Sequence, residues 1–139
     1  MVPAEPFHFE VRIRFIDTDT SGRIHYTAMF RYFESAEIEF MRSLGMHYGG
    51  DGFGLPRVHV ECDFLLAIVY DDLIAIEVCL TKLGRSSIRL EFYARKLGEL
   101  AAKGAVVVVC MDKETQAAVP IPDELRARLQ PMLPNCPER

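Results

Sequence analysis

The chain has 139 residues, half of them apolar, and 16 basic against 20 acidic side chains for a formal charge of −4. That is one ordinary domain with enough apolar residues for a real core, spanning residues 1–139 with no second domain expected. The acidic balance and the scattered Lys and Arg argue against a nucleic-acid surface.

The first ten residues lack the basic start and apolar run of a signal peptide. Nowhere do about 18 apolar residues run together, so no membrane span is expected and the protein reads as cytoplasmic. Cys62, Cys79, Cys110 and Cys136 are widely spaced without a Cys-x-x-Cys pair, which argues against a zinc or dithiol redox site. His8, His47 and His59 have no ligand spacing either, so no metal or cofactor is expected.

From Phe7 to Ile16 the sequence alternates, with Phe7, Phe9, Val11, Ile13 and Phe15 facing one way and Glu10, Arg12 and Arg14 the other. This predicts a half-buried strand. It runs into Asp17-Thr-Asp-Thr-Ser-Gly22, whose short polar residues and glycine favour a turn. A helix follows from about Thr27 to Leu44, with Met29, Phe33, Ala36, Phe40 and Leu44 on one stripe widened by Phe30, Tyr32 and Met41, and Gly45 as its stop.

So broad an apolar arc predicts a helix embraced by a sheet. After the loop 46–55, Val58, Val60, Cys62 and Phe64 alternate with His59, Glu61 and Asp63, predicting a second strand. Tyr70-Asp-Asp breaks the run, and Leu73 to Leu83 reads as an interior strand covered on both faces. Gly84-Arg-Ser-Ser and Leu97-Gly-Glu are turns that make the remaining strands, to Met111, an antiparallel meander. A short helix opens at Pro122-Asp-Glu, and the tail beyond Pro134 is expected to be loose. The order β-α-β-β-β-β is an α+β layer architecture.

The chemistry concentrates where the first strand meets the helix. Carboxylates at Asp17 and Asp19 stand just ahead of a helix N-terminus, whose unpaired amides favour a developing oxyanion. Such a layout suits acyl transfer or hydrolysis, with a carboxylate as base or nucleophile. Asp17 reads as structural, accepting backbone N–H bonds in the turn. Glu37, within the apolar arc, is the rival carboxylate, although no cation of its own helix is well spaced to pair with it.

The stretch Phe15-Ile-Asp-Thr-Asp-Thr-Ser-Gly-Arg-Ile-His-Tyr26, followed by Met29-Phe-Arg-Tyr-Phe-Glu-Ser-Ala-Glu37, resembles the signature of the 4-hydroxybenzoyl-CoA thioesterase family of hotdog-fold proteins, a likeness extending over about residues 8–125. The resemblance implies one long central helix wrapped by an antiparallel sheet of about five strands. Homodimers with active sites at the protomer interface are implied too, often paired into tetramers. It places the essential carboxylate on Asp19 and the oxyanion-binding amide on Tyr26. His25 is a candidate substrate contact and Gly22 the turn glycine of the substrate loop.

Arg85, Ser86 and Ser87 are candidates for contact with coenzyme A, a guanidinium being well matched to phosphate. Arg23 departs from the Val or Ile of many relatives, and His25-Tyr26 from the Tyr-His of the subgroup acting on short acyl-CoAs. The choice between an acyl-CoA and an aryl-CoA substrate stays open. The expected activity is hydrolysis of an acyl or aryl thioester to free acid and CoA. Its alternatives are an enoyl-thioester hydratase or dehydratase of the same fold, and a non-catalytic acyl-CoA or acyl-carrier binding module.

Overall fold

The structure is a computed structural model that describes residues 6–46 and 52–133. The expectations for His47, for Cys136, for part of the 46–55 loop and for the tail beyond Pro134 lie outside the described residues. Strand β1 (Phe7–Arg12) alternates half-buried and exposed positions, as its pattern predicts. It stops earlier than the alternation does. Ile13 stays buried and donates its N–H to the Asp72 carbonyl at 2.9 Å, whereas Phe15–Asp17 coil into a single 3-10 turn. Bonds from Tyr32 and Arg31 of the following helix draw Asp17 inward. The turn leaves Phe15 and Ile16 74% and 77% exposed, so Phe15 does not join the core as the alternation suggested.

Helix α1 (Ala28–Ser43) has 16 residues and begins and ends within a residue of expectation. Met29, Tyr32, Phe33, Ala36, Phe40 and Met41 form its buried arc. Gly45 ends it with φ 80°, its N–H reaching the Arg42 carbonyl at 2.9 Å and the Met46 N–H reaching Met41 at 2.9 Å. This paired 5→2 and 6→1 closure satisfies carbonyls that the helix end would otherwise leave open.

Beyond the helix come β2 (Phe53–Gly54), β3 (Arg57–Phe64), β4 (Leu73–Leu83), β5 (Ser87–Lys96), β6 (Glu99–Val109), β7 (Met111–Asp112) and helix α2 (Asp123–Leu129). Five strands form one antiparallel sheet in the order β1-β4-β5-β6-β3, and β2 pairs with β7 in a small ribbon that the sequence pattern did not reveal. The meander β4-β5-β6 is as expected, with Leu97 and Gly98 at φ 52° and 83° making its second tight turn.

The inner face of β4 and β5 presents Ile76, Val78, Leu80, Leu90 and Phe92 to α1, all buried. Phe33 stacks on Phe92 with ring centroids 4.8 Å apart. Gly104 of β6 lies under Phe33, where a Cβ would collide with the ring and approach the Glu61 carbonyl at 2.9 Å, so glycine lets the helix seat closely. Strand β3 is an edge strand, and Val58, Val60 and Phe64 are 60%, 47% and 44% exposed. Their alternation was correctly periodic, but they do not enter the core of this chain.

Candidate active site

The loop between β1 and α1 is fastened at Asp17, which is only 8% exposed. Its Oδ2 accepts from the Tyr32 hydroxyl at 2.6 Å, its Oδ1 from Arg31, and its carbonyl from the His25 N–H at 2.8 Å. The Tyr32 hydroxyl, then the Arg31 guanidinium, hold this carboxyl below its usual range against the opposing effect of burial. Asp17 is thus a structural acid, as expected, although its partners are side chains of α1 rather than the turn amides anticipated.

With both ends of the loop tied, the segment between them closes on itself. The Asp19 N–H donates to the Arg23 carbonyl at 2.8 Å and the Gly22 N–H to the Asp19 carbonyl at 3.0 Å. Gly22 adopts φ 84°, a conformation that a side chain would strain. The exposed Asp19 carboxylate accepts at Oδ1 from the Ser21 hydroxyl at 2.6 Å and the Ser21 N–H at 2.8 Å. These two bonds, the hydroxyl first, hold the Asp19 carboxyl below its ordinary value. A carboxylate so held is charged at neutral pH, fixed in direction, and open to solvent or ligand.

Immediately downstream, the entry to α1 is built by His25. Its Nδ1 accepts from the Thr27 N–H at 3.2 Å and lies 2.7 Å from the Thr27 hydroxyl, and its ring stacks on Tyr26 at 4.8 Å. An Nδ1 that accepts an amide proton leaves the ring proton on Nε2. His25 therefore caps the helix entry, and it stands outside the lining of the neighbouring cleft. The Ala28 N–H reaches the His25 carbonyl at 2.8 Å, whereas the Tyr26 N–H makes no hydrogen bond to the described residues. One amide beside Asp19 is thus left available for an anionic oxygen.

Asp19 and Tyr26 share a cleft of about 270 Å³ with Arg23. Its walls are Ile24, Phe64, Leu65, Leu66 and Ile68, together with the Tyr26 ring. The far wall is the segment that follows β3, where Leu65 and Leu66 remain 54% and 40% exposed and the Leu65 N–H is tied to the Ala101 carbonyl at 2.8 Å. Sequence reasoning did not single out this segment. Its signal was present in Phe64-Leu-Leu-Ala-Ile68, where an apolar run replaces the alternation of β3.

Two other candidates lie elsewhere. Glu37 is 1% exposed and its Oε2 accepts from Arg57 of β3 at 2.6 Å, with Glu34 3.3 Å from the same guanidinium. The cation missing from its own helix is thus supplied by the sheet edge. Arg85, Ser86 and Ser87 form the β4–β5 turn, fixed by bonds from the Ile121 N–H to the Arg85 carbonyl (2.9 Å) and from the Cys110 N–H to the Ser86 carbonyl (2.7 Å). One chain does not bring that turn to Asp19. The Asp19 loop packs on residues 68–72, ahead of the first residue of β4, whereas the turn follows its last. The 11 residues between span about 35 Å of strand.

No group of three or more potential metal ligands occurs among the described residues. Burial, with Asp63 beside it, pushes the Cys62 thiol up to about 12, so it is a poor nucleophile. No helix of the described residues is long and apolar enough to cross a membrane.

The chain is 26% identical over 129 residues to the 1,4-dihydroxy-2-naphthoyl-CoA hydrolase of Synechococcus elongatus, covering 89% of this chain and 95% of that one. It is 25% identical over 125 residues to the acyl-CoA thioesterase YbgC of Haemophilus influenzae, covering 87% and 92%. Among solved structures, the BH1999 gentisyl-coenzyme A thioesterase superposes with a TM-score of 0.81 at 26% identity, covering 87% of this chain and 98% of that one. Residues 13–129, which include the whole Asp17–Tyr26 loop and both walls of the cleft, match the thioesterase-like superfamily, and the chain belongs to that superfamily.

Proposed function

We propose that the protein is an acyl-CoA thioesterase of the hotdog type, with α1 as its central helix, that hydrolyses an acyl or aryl thioester to the free acid and CoA. The observation that carries this reading is that one cleft is lined both by Asp19, a solvent-open carboxylate fixed by Ser21, and by Tyr26, whose N–H has no partner among the described residues. A thioester carbonyl seated there faces Asp19, which either activates water as general base or attacks the carbonyl to form an anhydride. The Tyr26 N–H then donates to the oxyanion, aided by the positive end of α1. His25 holds that amide in place through the helix entry. CoA leaves as the thiol and the acyl group as the acid.

The same reading makes the enzyme a homodimer, with tetramers built from dimers. The exposed Val58, Val60 and Phe64 on edge strand β3 support it, since an edge carrying apolar side chains invites pairing with a second copy. Pairing of that kind is also the route by which Arg85, Ser86 and Ser87 would reach the CoA phosphates of a neighbouring site. Release of free thiol from a panel of acyl-CoAs, acetyl to palmitoyl with benzoyl, tests the activity. Saturable binding of these thioesters with no thiol released at any enzyme concentration would assign the cleft to a binding module instead.

A further inference from the structure

Apart from Asp19, the cleft contains one charged side chain, that of Arg23. The backbone of Arg23 is fully engaged: its carbonyl accepts from the Asp19 N–H at 2.8 Å and it bridges to Val69. Its guanidinium is not. Arg31, Arg57, Arg89 and Arg95 each meet a carboxylate of the chain, but Arg23 forms no ion pair among the described residues. Nor is it committed to its neighbour, since the Asp19 carboxylate is bound by Ser21.

Arg23 is exposed and forms no ion pair among the described residues, so its guanidinium is open to an anion brought into the cleft walled by Ile24, Phe64, Leu65 and Leu66. We propose that Arg23 selects substrates whose acyl group ends in a carboxylate, that is, the mono-CoA thioesters of short dicarboxylic acids. The inference rests on the thioesterase reading. The direct backbone bond between Asp19 and Arg23 sets the two residues side by side, so with the thioester held at Asp19 the Arg23 side chain starts next to the reacting group. The CoA phosphates lie at the far end of the pantetheine arm, beyond that side chain's reach. A carboxylate a short chain along the acyl group is within it, and a planar guanidinium pairs with a carboxylate through two parallel hydrogen bonds.

The test is kcat/KM for thiol release on matched pairs, glutaryl-CoA against valeryl-CoA and adipyl-CoA against hexanoyl-CoA, corrected for uncatalysed hydrolysis. The native protein should favour the carboxylate-bearing member by about tenfold or more, the worth of a hydrogen bond to a charged group. In Arg23→Met the ratio should fall to one or below. Arg23→Lys, which keeps the charge and loses the fork, should lie between. A native ratio near one, or a preference that survives in Arg23→Met, overturns the assignment while leaving the thioesterase reading standing. No thiol from any of the four substrates also overturns the assignment, and the thioesterase reading falls with it only where the acetyl- to palmitoyl-CoA and benzoyl-CoA panel releases no thiol either.

Discussion

Asp19 and Glu37 sit in environments that are nearly opposite. Asp19 is exposed, and its bonds to Ser21 come from within its own turn, so it is oriented at little cost in access. Glu37 is buried under the sheet and its negative charge is matched by Arg57, a residue on another element. On the proposed mechanism, burial alone is therefore a poor guide to reactivity in this molecule. The acid we propose for attack on a bound carbonyl is the one whose lone pairs remain reachable, and the acid in the interior fastens α1 to β3.

The contrast predicts different losses from isosteric changes. Asp19→Asn should lower kcat for thiol release by about 10²–10⁴-fold while leaving thermal unfolding unchanged, because its bonds are local and solvated. Glu37→Gln should cost less than about tenfold in rate but destabilise the fold by about 2 kcal/mol or more. That is less than for a fully enclosed pair, since the Arg57 side chain is 31% exposed. A double-mutant cycle with Arg57→Met, read by denaturant unfolding, checks the assignment: a coupling near zero would remove Arg57 as the partner.

A smaller stability loss is expected at Asp17. Asp17→Ala leaves the buried Tyr32 hydroxyl without its 2.6 Å acceptor and should cost about 1–3 kcal/mol. Since the folded-state carboxyl is held below its ordinary value of 3.8, its contribution is complete above that pH and disappears as pH falls through the lower folded value. The native protein should thus lose more stability on acidification than Asp17→Ala does, as measured by chemical denaturation at a series of pH values. The mildest change is at the β4–β5 turn. Arg85→Ala should raise KM several-fold with kcat nearly unchanged if the turn of a second protomer grips CoA, and a collapse of kcat instead would place Arg85 in the chemistry.

Much of this architecture is legible in the sequence because it is locally encoded. Gly45 closes α1 where its φ 80° requires glycine, and Leu97-Gly98 turns between two strands of clear period. The Asp19 turn is local too, since Ser21 and Arg23 are its nearest neighbours. What the sequence concealed depends on distant partners. β1 ends early because Tyr32, 15 residues on, claims Asp17. The far wall of the cleft belongs to a segment about 40 residues downstream, placed by the register of β3 against β6. The Arg57–Glu37 pair joins residues 20 apart across a loop, a contact that no helical or strand spacing announces.

The most direct test of Asp19 as the reacting group is the acid limb of the kcat/KM profile for thiol release, which reports the titration of the free enzyme's essential carboxylate. In the native protein that limb should lie below the ordinary aspartate value of 3.8, because Ser21 stabilises the charged form. Ser21→Ala removes the hydroxyl that contributes most, so the carboxyl should take up its proton at higher pH and the limb should move upward. A limb indifferent to Ser21→Ala but displaced by Arg57→Met would contradict the account and transfer the chemistry to Glu37.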